Sequence, residues 1–374
     1  MAFYLKIKYY LILLFLVTKT SLSLSAQDTR SYWQANYAFG SIIEHKKLIG
    51  HLVKAHPEFL SISWQQNSPT DVTWKKRYNY PDWGFSISYQ NFNNPTLGKV
   101  IGLQYQTTYY LLNRNAKNQL NLQMRTGIAY NTNPLSLSDN NKNVAMSSSL
   151  QLAEFIKLDY KIPNLFKNIG FHTGLLLTHY SNASYKNPNF GINSLFLSTG
   201  LDWQKSERLY YPKKPIKERI PKQKIHLNTA LYLGVHEAKA GLGDKPVYII
   251  SGYGSKKIGN KSTLQFGFDF FNSQAVKDLA SFRDHIQIES PDRALLDHKQ
   301  IGLFGGHELV FNKISLETLV GYYLYNPLKY SPSIYQKIAL KHNLNSKKTA
   351  LSLNLKVHNF KAEYLTLGFH YQLL

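Results

Sequence analysis

Cysteine is absent from the 374 residues, which excludes disulfides, thiol chemistry and a lipoprotein anchor. It also argues against a small stapled secreted domain. Acid is scarce: 22 Asp and Glu against 44 Lys and Arg leave a formal net charge of +22. Beyond Val17 no run reaches the ~20 apolar residues that a membrane helix needs. No phosphate loop, dinucleotide fingerprint or nucleic-acid motif is present, so the basic charge comes without the features that would direct it to nucleic acid.

What the chain does carry begins at its N-terminus. Lys6 and Lys8 precede an unbroken apolar stretch, Tyr9 to Val17, and Ser23, Ser25 and Ala26 follow as small residues suited to cleavage. That is the layout of a secretory signal peptide, too short to span a bilayer. Residues 1–26 are expected to be removed, leaving a mature chain that starts near Ala26 or Gln27. For an exported chain, anionic lipid or lipopolysaccharide phosphate suits the positive charge better than nucleic acid does, and a merely basic surface is the alternative.

The dominant pattern is alternation with period two. Near the C-terminus Leu365, Leu367, Phe369, Tyr371 and Leu373 share one face, and Tyr364, Thr366, Gly368, His370 and Gln372 share the other. A soluble sandwich also alternates. Segments of ~10 residues rich in Tyr and Phe, however, fit membrane strands with aromatic girdles. Strands are read near 31–43, 57–66, 82–92, 99–112, 119–131, 147–161, 169–181 and 193–204. They resume near 224–236, 246–255, 262–272, 299–312, 314–325, 334–343, 349–359 and 362–373, about sixteen in all. The expected fold is all-β, an antiparallel transmembrane β-barrel in a bacterial outer membrane with both chain ends in the periplasm.

A basic stretch, Lys205 to Lys224, interrupts the series, and Pro212, Pro215 and Pro221 bar helix and central strand there. It reads as a periplasmic linker, with binding to anionic lipid heads as the other option. The expected organisation is a barrel unit at 27–204, a linker at 205–223 and a second barrel unit at 224–374. Similar segments recur eight strands apart. Gly84-Phe85-Ser86-Ile87 is matched by Gly267-Phe268-Asp269-Phe270, and Gly127 with Asn133-Pro134-Leu135 by Gly321 with Asn326-Pro327-Leu328. This points to a duplicated eight-strand unit, closed either as one large barrel or as two small ones.

The seventh strand carries the best candidate for chemistry. Phe171, Leu175, Leu177, His179 and Ser181 share its more apolar, lipid-facing side, while His172, Gly174, Thr178 and Tyr180 share the other. A polar pair on a lipid-facing wall is costly unless it serves something. Residues i and i+2 lie about 7 Å apart on one face, close enough for an imidazole to turn toward the hydroxyl and take its proton. On the next strand Asn193, Leu195, Leu197, Thr199, Leu201 and Trp203 form the apolar face, so Asn193 meets His179 and Ser181 at the same rim. By strand parity that rim is the extracellular one. A polar pair at the headgroup boundary is the simpler alternative.

His179-Tyr180-Ser181-Asn182-Ala183, followed by Asn187-Pro188-Asn189-Phe190-Gly191, resembles the active-site hairpin of the outer-membrane lipid A 3-O-deacylases of the PagL type. The resemblance is closer still to the Bacteroidetes-type acyloxyacyl hydrolases. Further segments similar to that subgroup are Ile43-Glu44-His45 through Gly50-His51, His56-Pro57, Tyr80 to Phe85, Leu355-Lys356-Val357-His358 and Lys361-Ala362. The core likeness spans roughly residues 27–204. It implies an eight-stranded barrel in the core family, with Ser181 as nucleophile, His179 as its base and Asn182 helping to bind the oxyanion. Two positions depart from the family. Asn193 stands where a glutamate is usual, and Ser184 where glycine is usual. An amide can orient the histidine but cannot stabilise imidazolium as a carboxylate does.

The activity expected is an esterase that removes an acyl chain from lipid A in the outer leaflet, with acyl chains lying along Leu175, Leu177, Leu195 and Leu197. No cofactor is implied. The alternative is a non-catalytic barrel, a pore or surface-binding protein, that retains the hairpin as a relic. His45, His51 and His56 of the first loop lack the carboxylates of a zinc or calcium site and read as loop packing or phosphate contacts. Lys46, Lys47 and Lys54 beside them could meet lipid A phosphates. His358 falls on the lumen side with no Ser-Asn after it, so the second half reads as structural or binding.

Overall fold

The computed structural model describes residues 30–374 apart from 68–72, 185, 205–210, 212–223, 239–242, 287–296, 345–347 and 360. The expected signal peptide and nearly all of the expected linker lie outside the described residues. Eight strands, β1 (Arg30–Ile43), β2 (Glu58–Asn67), β3 (Asp82–Asn91), β4 (Lys99–Tyr110), β5 (Gln119–Asn131), β6 (Leu150–Phe166), β7 (Ile169–Ser181) and β8 (Ile192–Gln204), form one closed barrel. A second closed barrel comprises β9 (His226–His236), β10 (Lys245–Lys257), β11 (Ser262–Ser273), β12 (Gln300–Phe311), β13 (Ile314–Tyr325), β14 (Ile334–Asn343), β15 (Thr349–His358) and β16 (Lys361–Gln372). Two small barrels, not one large one, therefore account for the sixteen strands. Closure is made by pairing β1 with β8, from Tyr32↔Gln204 to Ile43↔Asn193, and β9 with β16. Gly84 and Gly267 lie on the third strand of their barrels, and Gly127 and Gly321 on the fifth.

Alternation sorts the side chains as their chemistry requires. Leu175, Leu177, Leu195 and Leu197 are exposed on the outer wall. Trp33, Trp83 and Trp203, near the ends of their strands, belong to an outer aromatic girdle in which Trp64 and Trp83 meet edge to face at 5.7 Å. In β15, alternation from Leu351, Leu353 and Leu355 would put Val357 on the outer face, but it is buried, and the pairing register shifts between Lys356 and Val357.

An eight-strand barrel is just wide enough for side chains to fill its interior. In the first barrel Arg125 donates to Ser61 and Ser86, Lys157 to Asn36, and Lys161 pairs with Asp202 at 3.2 Å. In the second, Asp269 receives Lys337 and Tyr335, each at 2.7 Å, and Lys341 bridges Glu308 and Glu317. Buried charges require such partners. These networks fill the two lumens with protein groups, which removes the wide aqueous channel that a pore would use.

Odd-numbered strands run from a lower rim to an upper rim, and even-numbered strands return. The upper loops of the first barrel pack an apolar plug that includes Ile49, Leu52, Phe92, Leu97, Met146 and Tyr180. The second barrel carries α1 (Thr73–Arg77) of the first at its lower side indirectly: Tyr78, just after that helix, donates to the Val310 carbonyl at 2.8 Å and packs at a tilt against Phe311, ring centres 4.7 Å apart. At the upper side, Ser184 Oγ donates to the Ala362 carbonyl at 2.6 Å, and Asn187 donates to Glu237 at 3.0 Å. The hairpin between β7 and β8 is thus the upper point of attachment between the barrels.

Candidate active site

Strand register sets the site. His179 on β7 is directly opposite Asn193 on β8, and Asn193 is directly opposite Ile43 at the end of β1. His179, Ser181 and Asn193 are all half-buried on the outer wall at the upper rim. His179 Nε2 lies 3.0 Å from Ser181 Oγ, and His179 Nδ1 lies 2.6 Å from Asn193 Oδ1. These are the two contacts a nucleophile–base–orienter row needs. An oxygen facing Nδ1 requires the proton on Nδ1, which leaves the Nε2 lone pair for the serine hydroxyl.

Gly191 permits this approach. It sits at φ +69°, and a Cβ there would come 3.0 Å from the His179 ring. Ser184 also lies in the left-handed region, at φ +60°. A family glycine at that position would adopt this conformation freely. Here the turn is kept with a serine, whose hydroxyl makes the tether to Ala362 described above.

Asn182 does not present its side chain to the reacting serine. Its Nδ2 is held by Ser147 Oγ, Ser148 Oγ and the Lys186 carbonyl at 3.0, 3.3 and 2.9 Å, and its backbone N–H donates to Asn189 Oδ1 at 3.1 Å. The sequence places it beside the nucleophile, but the loop between β5 and β6 draws its amide away. Its structural effect is to staple that loop to the hairpin, together with the Gly191 N–H to Ala145 carbonyl bond of 3.0 Å. The N–H groups of Ala183 and Ser184 have no acceptor among the described residues.

The three loop histidines hold separate backbone carbonyls: His45 that of Phe190 at 3.0 Å, His51 that of Lys142 at 2.8 Å and His56 that of Gly40 at 3.0 Å. They are loop fasteners. Beside His45, the Lys46 and Lys361 ammoniums stand 5.4 and 5.8 Å from the centre of the Phe190 ring. Lys46 comes from the first barrel and Lys361 from the second.

One residue of the site was not singled out from sequence. Glu154 on β6 is directly opposite His179 and exposed on the outer wall. Thr126 donates to it at 2.5 Å. The signal was present in the alternation, since Leu152, Glu154, Ile156 and Leu158 share one face and a lone carboxylate there is costly in lipid.

Residues 58–202 match the family model described as lipid A 3-O-deacylase (PagL), and residues 225–374 match that described as acyloxyacyl hydrolase, C-terminal domain. The family matches make this outer-membrane β-barrel an ester hydrolase. The first barrel is thus similar to the lipid A 3-O-deacylases and the second to the C-terminal domain of the acyloxyacyl hydrolases. Among solved structures, the outer-membrane enzyme PagL is 20% identical, over 45% of this chain and 97% of that one, with a TM-score of 0.33. A mutant porin from Rh. blastica is 8% identical, over 92% of this chain and 99% of that one, with a TM-score of 0.20. The likeness rests on the two family models, one for each barrel. No curated protein matches the chain.

Proposed function

We propose that the protein cleaves an acyl ester of lipid A at Ser181, in the outer leaflet. The observation that carries this reading is the unbroken row Ser181–His179–Asn193, with spacings of 3.0 and 2.6 Å, continued along β7 and β8 by exposed leucines. His179 Nε2 takes the Ser181 proton as Oγ bonds to the ester carbonyl carbon. The tetrahedral intermediate collapses, the C–O bond to the alcohol breaks, and the imidazolium returns the proton to the leaving oxygen. Water, deprotonated by the same imidazole, then releases the fatty acid from the acyl-serine.

The oxyanion is assigned to the backbone N–H groups of Ala183 and Ser184, because Asn182 has its own donors engaged. Leu175 and Leu177 on β7, with Leu195 and Leu197 on β8, flank the row and offer an apolar bed for the acyl chain. Most of the longer loops, such as 132–149 and 274–299, lie at the upper rim, and most short turns, such as Asn312–Lys313, at the lower one, with the 68–81 and 359–360 connections as exceptions. In outer-membrane barrels that asymmetry puts the upper rim outside the cell, level with the outer-leaflet headgroups.

Lys46 and Lys361 are assigned to a phosphate of the lipid A headgroup. Neither has a carboxylate partner among the described residues, and two ammoniums over one ring repel each other until an anion is shared. The second barrel would then complete the substrate site of the first.

Mass spectrometry of lipid A tests the esterase reading. Cells carrying the protein should lose one acyl chain from their lipid A, and cells carrying Ser181→Ala should not. Lipid A of unchanged mass in both would overturn it.

A further inference from the structure

Asparagine in the place of an acid creates an ambiguity that a carboxylate does not have. An amide can offer His179 either its oxygen or its NH2 group. Only the oxygen selects the Nδ1–H tautomer that leaves Nε2 free to accept the serine proton. With the amide turned over, its NH2 would face Nδ1, the ring proton would move to Nε2, and Ser181 would meet a donor where it needs a base.

The surroundings of Asn193 resolve the ambiguity. Asn193 Nδ2 lies 3.3 Å from His45 Nδ1. The other ring nitrogen of His45, Nε2, lies 3.0 Å from the Phe190 carbonyl oxygen. A carbonyl oxygen only accepts, so Nε2 carries the proton and Nδ1 is left with a lone pair toward Asn193. The Ile43 carbonyl is also near Nδ1, at 3.4 Å, but the Phe190 contact is shorter and decides the tautomer. A lone pair at His45 Nδ1 draws in the Asn193 NH2 group and turns Oδ1 toward His179, where the spacing is 2.6 Å.

We propose that His45 is a positioning residue that locks the Asn193 amide and so sets the tautomer of the catalytic histidine. The chain Phe190 carbonyl–His45–Asn193–His179–Ser181 has one consistent assignment of donors and acceptors along its whole length. His45 belongs to the loop after β1, while Asn193 begins the apolar face of β8; the pairing of β1 with β8 that closes the barrel brings them together. The lock needs no charge, in keeping with its place beside lipid. It also states how an asparagine serves where the family has glutamate: the orientation comes from a second imidazole.

This inference rests on the Ser/His reading, and one set of purified, full-length variants in detergent separates the two. Removing the lock leaves the amide free to populate both orientations, and the competent fraction scales the rate. His45→Ala should lower kcat by about tenfold to a hundredfold with KM unchanged. His45→Gln, whose side-chain oxygen can also accept from Asn193 Nδ2, should recover part of the loss. Asn193→Asp removes the ambiguity, so His45→Ala combined with Asn193→Asp should turn over within a few-fold of Asn193→Asp alone. Nitrogen-15 spectra of labelled histidine should report the His179 proton on Nδ1 in the parent and on both nitrogens in His45→Ala. A double variant as slow as His45→Ala would overturn the lock, because the loss would then come from the loop and not from the amide. An unaffected His45→Ala, or a loss confined to KM, would do the same. Full turnover by Ser181→Ala would instead overturn the Ser/His reading itself.

Discussion

Both barrels bring a serine, a histidine and a carboxyl or amide group into a row, and they do so on opposite faces of the wall. In the first, Ser181, His179 and Asn193 stand half-buried on the outer surface. In the second, Ser273 Oγ lies 2.9 Å from His236 Nδ1, and His236 Nε2 lies 3.6 Å from Glu363, all in the lumen. By residue type the second row is closer to an esterase triad, since it has the acid that the first lacks. Its surroundings give it different work. Ser273 and His236 are 5% and 2% exposed, and the serine oxygen also faces the Val276 N–H at the start of α2 (Gln274–Ile286). Glu363 is shared with Lys356, His358 and Tyr330. A nucleophile needs an unclaimed oxygen and a place for substrate, and the face of the strand decides whether it has them.

That contrast predicts the largest effect. Ser181→Ala should lower deacylation by a factor on the order of 10³ or more, as loss of a nucleophile does in serine hydrolases. Ser273→Ala should leave the rate within about twofold and reduce stability by about 1 kcal/mol, the usual worth of a helix cap or a buried hydrogen bond. Turnover assays with denaturant unfolding would separate them. Loss of activity in Ser273→Ala at unchanged stability would break the comparison and assign chemistry to the second barrel.

The next effect concerns charge. Asn193 cannot offset the imidazolium that forms as His179 takes the proton, and Glu154, opposite on β6, is the carboxylate placed to do so. Residues directly opposite in antiparallel strands have Cβ atoms about 5 Å apart, and at an effective dielectric of about 20 a charge pair at that range is worth roughly 2–3 kcal/mol. Glu154→Gln should therefore lower kcat about tenfold or more at constant KM. Steady-state kinetics on a single lipid substrate checks this, and an unchanged kcat would leave the imidazolium without a counter-charge from β6.

Much of this was legible in the chain itself. The period-two pattern located all sixteen strands, and the phase of Leu175, Leu177, His179 and Ser181 put the site on the outer wall. The number of barrels was not legible, because closure depends on whether β8 pairs with β1 or with β9, a choice between strands with the same local pattern. The partners of the Asn182 amide were not legible for a related reason. The family resemblance implied an oxyanion donor there, but its amide is held by Ser147 and Ser148, residues more than thirty positions away. His45 and Lys361 were visible as residues but not as neighbours of the site, since loop closure and barrel docking bring them there.

Smaller effects sharpen the dependence of one barrel on the other. Lys46→Ala and Lys361→Ala should each raise KM for phosphorylated lipid A about fivefold to tenfold, consistent with ~1 kcal/mol for an exposed charge contact. Neither should alter KM for chemically dephosphorylated lipid A, and Lys99→Ala, an exposed lysine on β4, should alter neither. The pH dependence follows from Lys46. Burial, then the facing Lys361 ammonium of β16, pushes its amine below the ordinary lysine range; Glu44, His45 and Lys47 flank it in its own loop. The clamp needs the protonated amine, so affinity for phosphorylated substrate should be full at neutral pH. It should fall as pH rises through that lowered range, earlier than for an ordinary lysine. KM measured across alkaline pH on both substrates would show it, and parallel curves would remove Lys46 from phosphate binding.

The smallest expected effect lies where the barrels join. Ser184→Gly restores the residue usual in the family and relieves a left-handed backbone at φ +60°, which favours the variant by about 1 kcal/mol. The same change removes the hydroxyl bond to the Ala362 carbonyl, worth about 1 kcal/mol when one partner is lost. Global stability should thus shift by less than about 1 kcal/mol, while the hairpin loses a tether to the second barrel. Hydrogen exchange should quicken across residues 182–191 and at the start of β16, and the Lys361→Ala effect on KM should shrink, because that lysine is no longer held over Phe190. Unchanged exchange at both segments would mean that the Asn187–Glu237 and Lys361–Phe190 contacts hold the upper junction without the serine, and that the serine at this position serves the turn and not the partnership of the barrels.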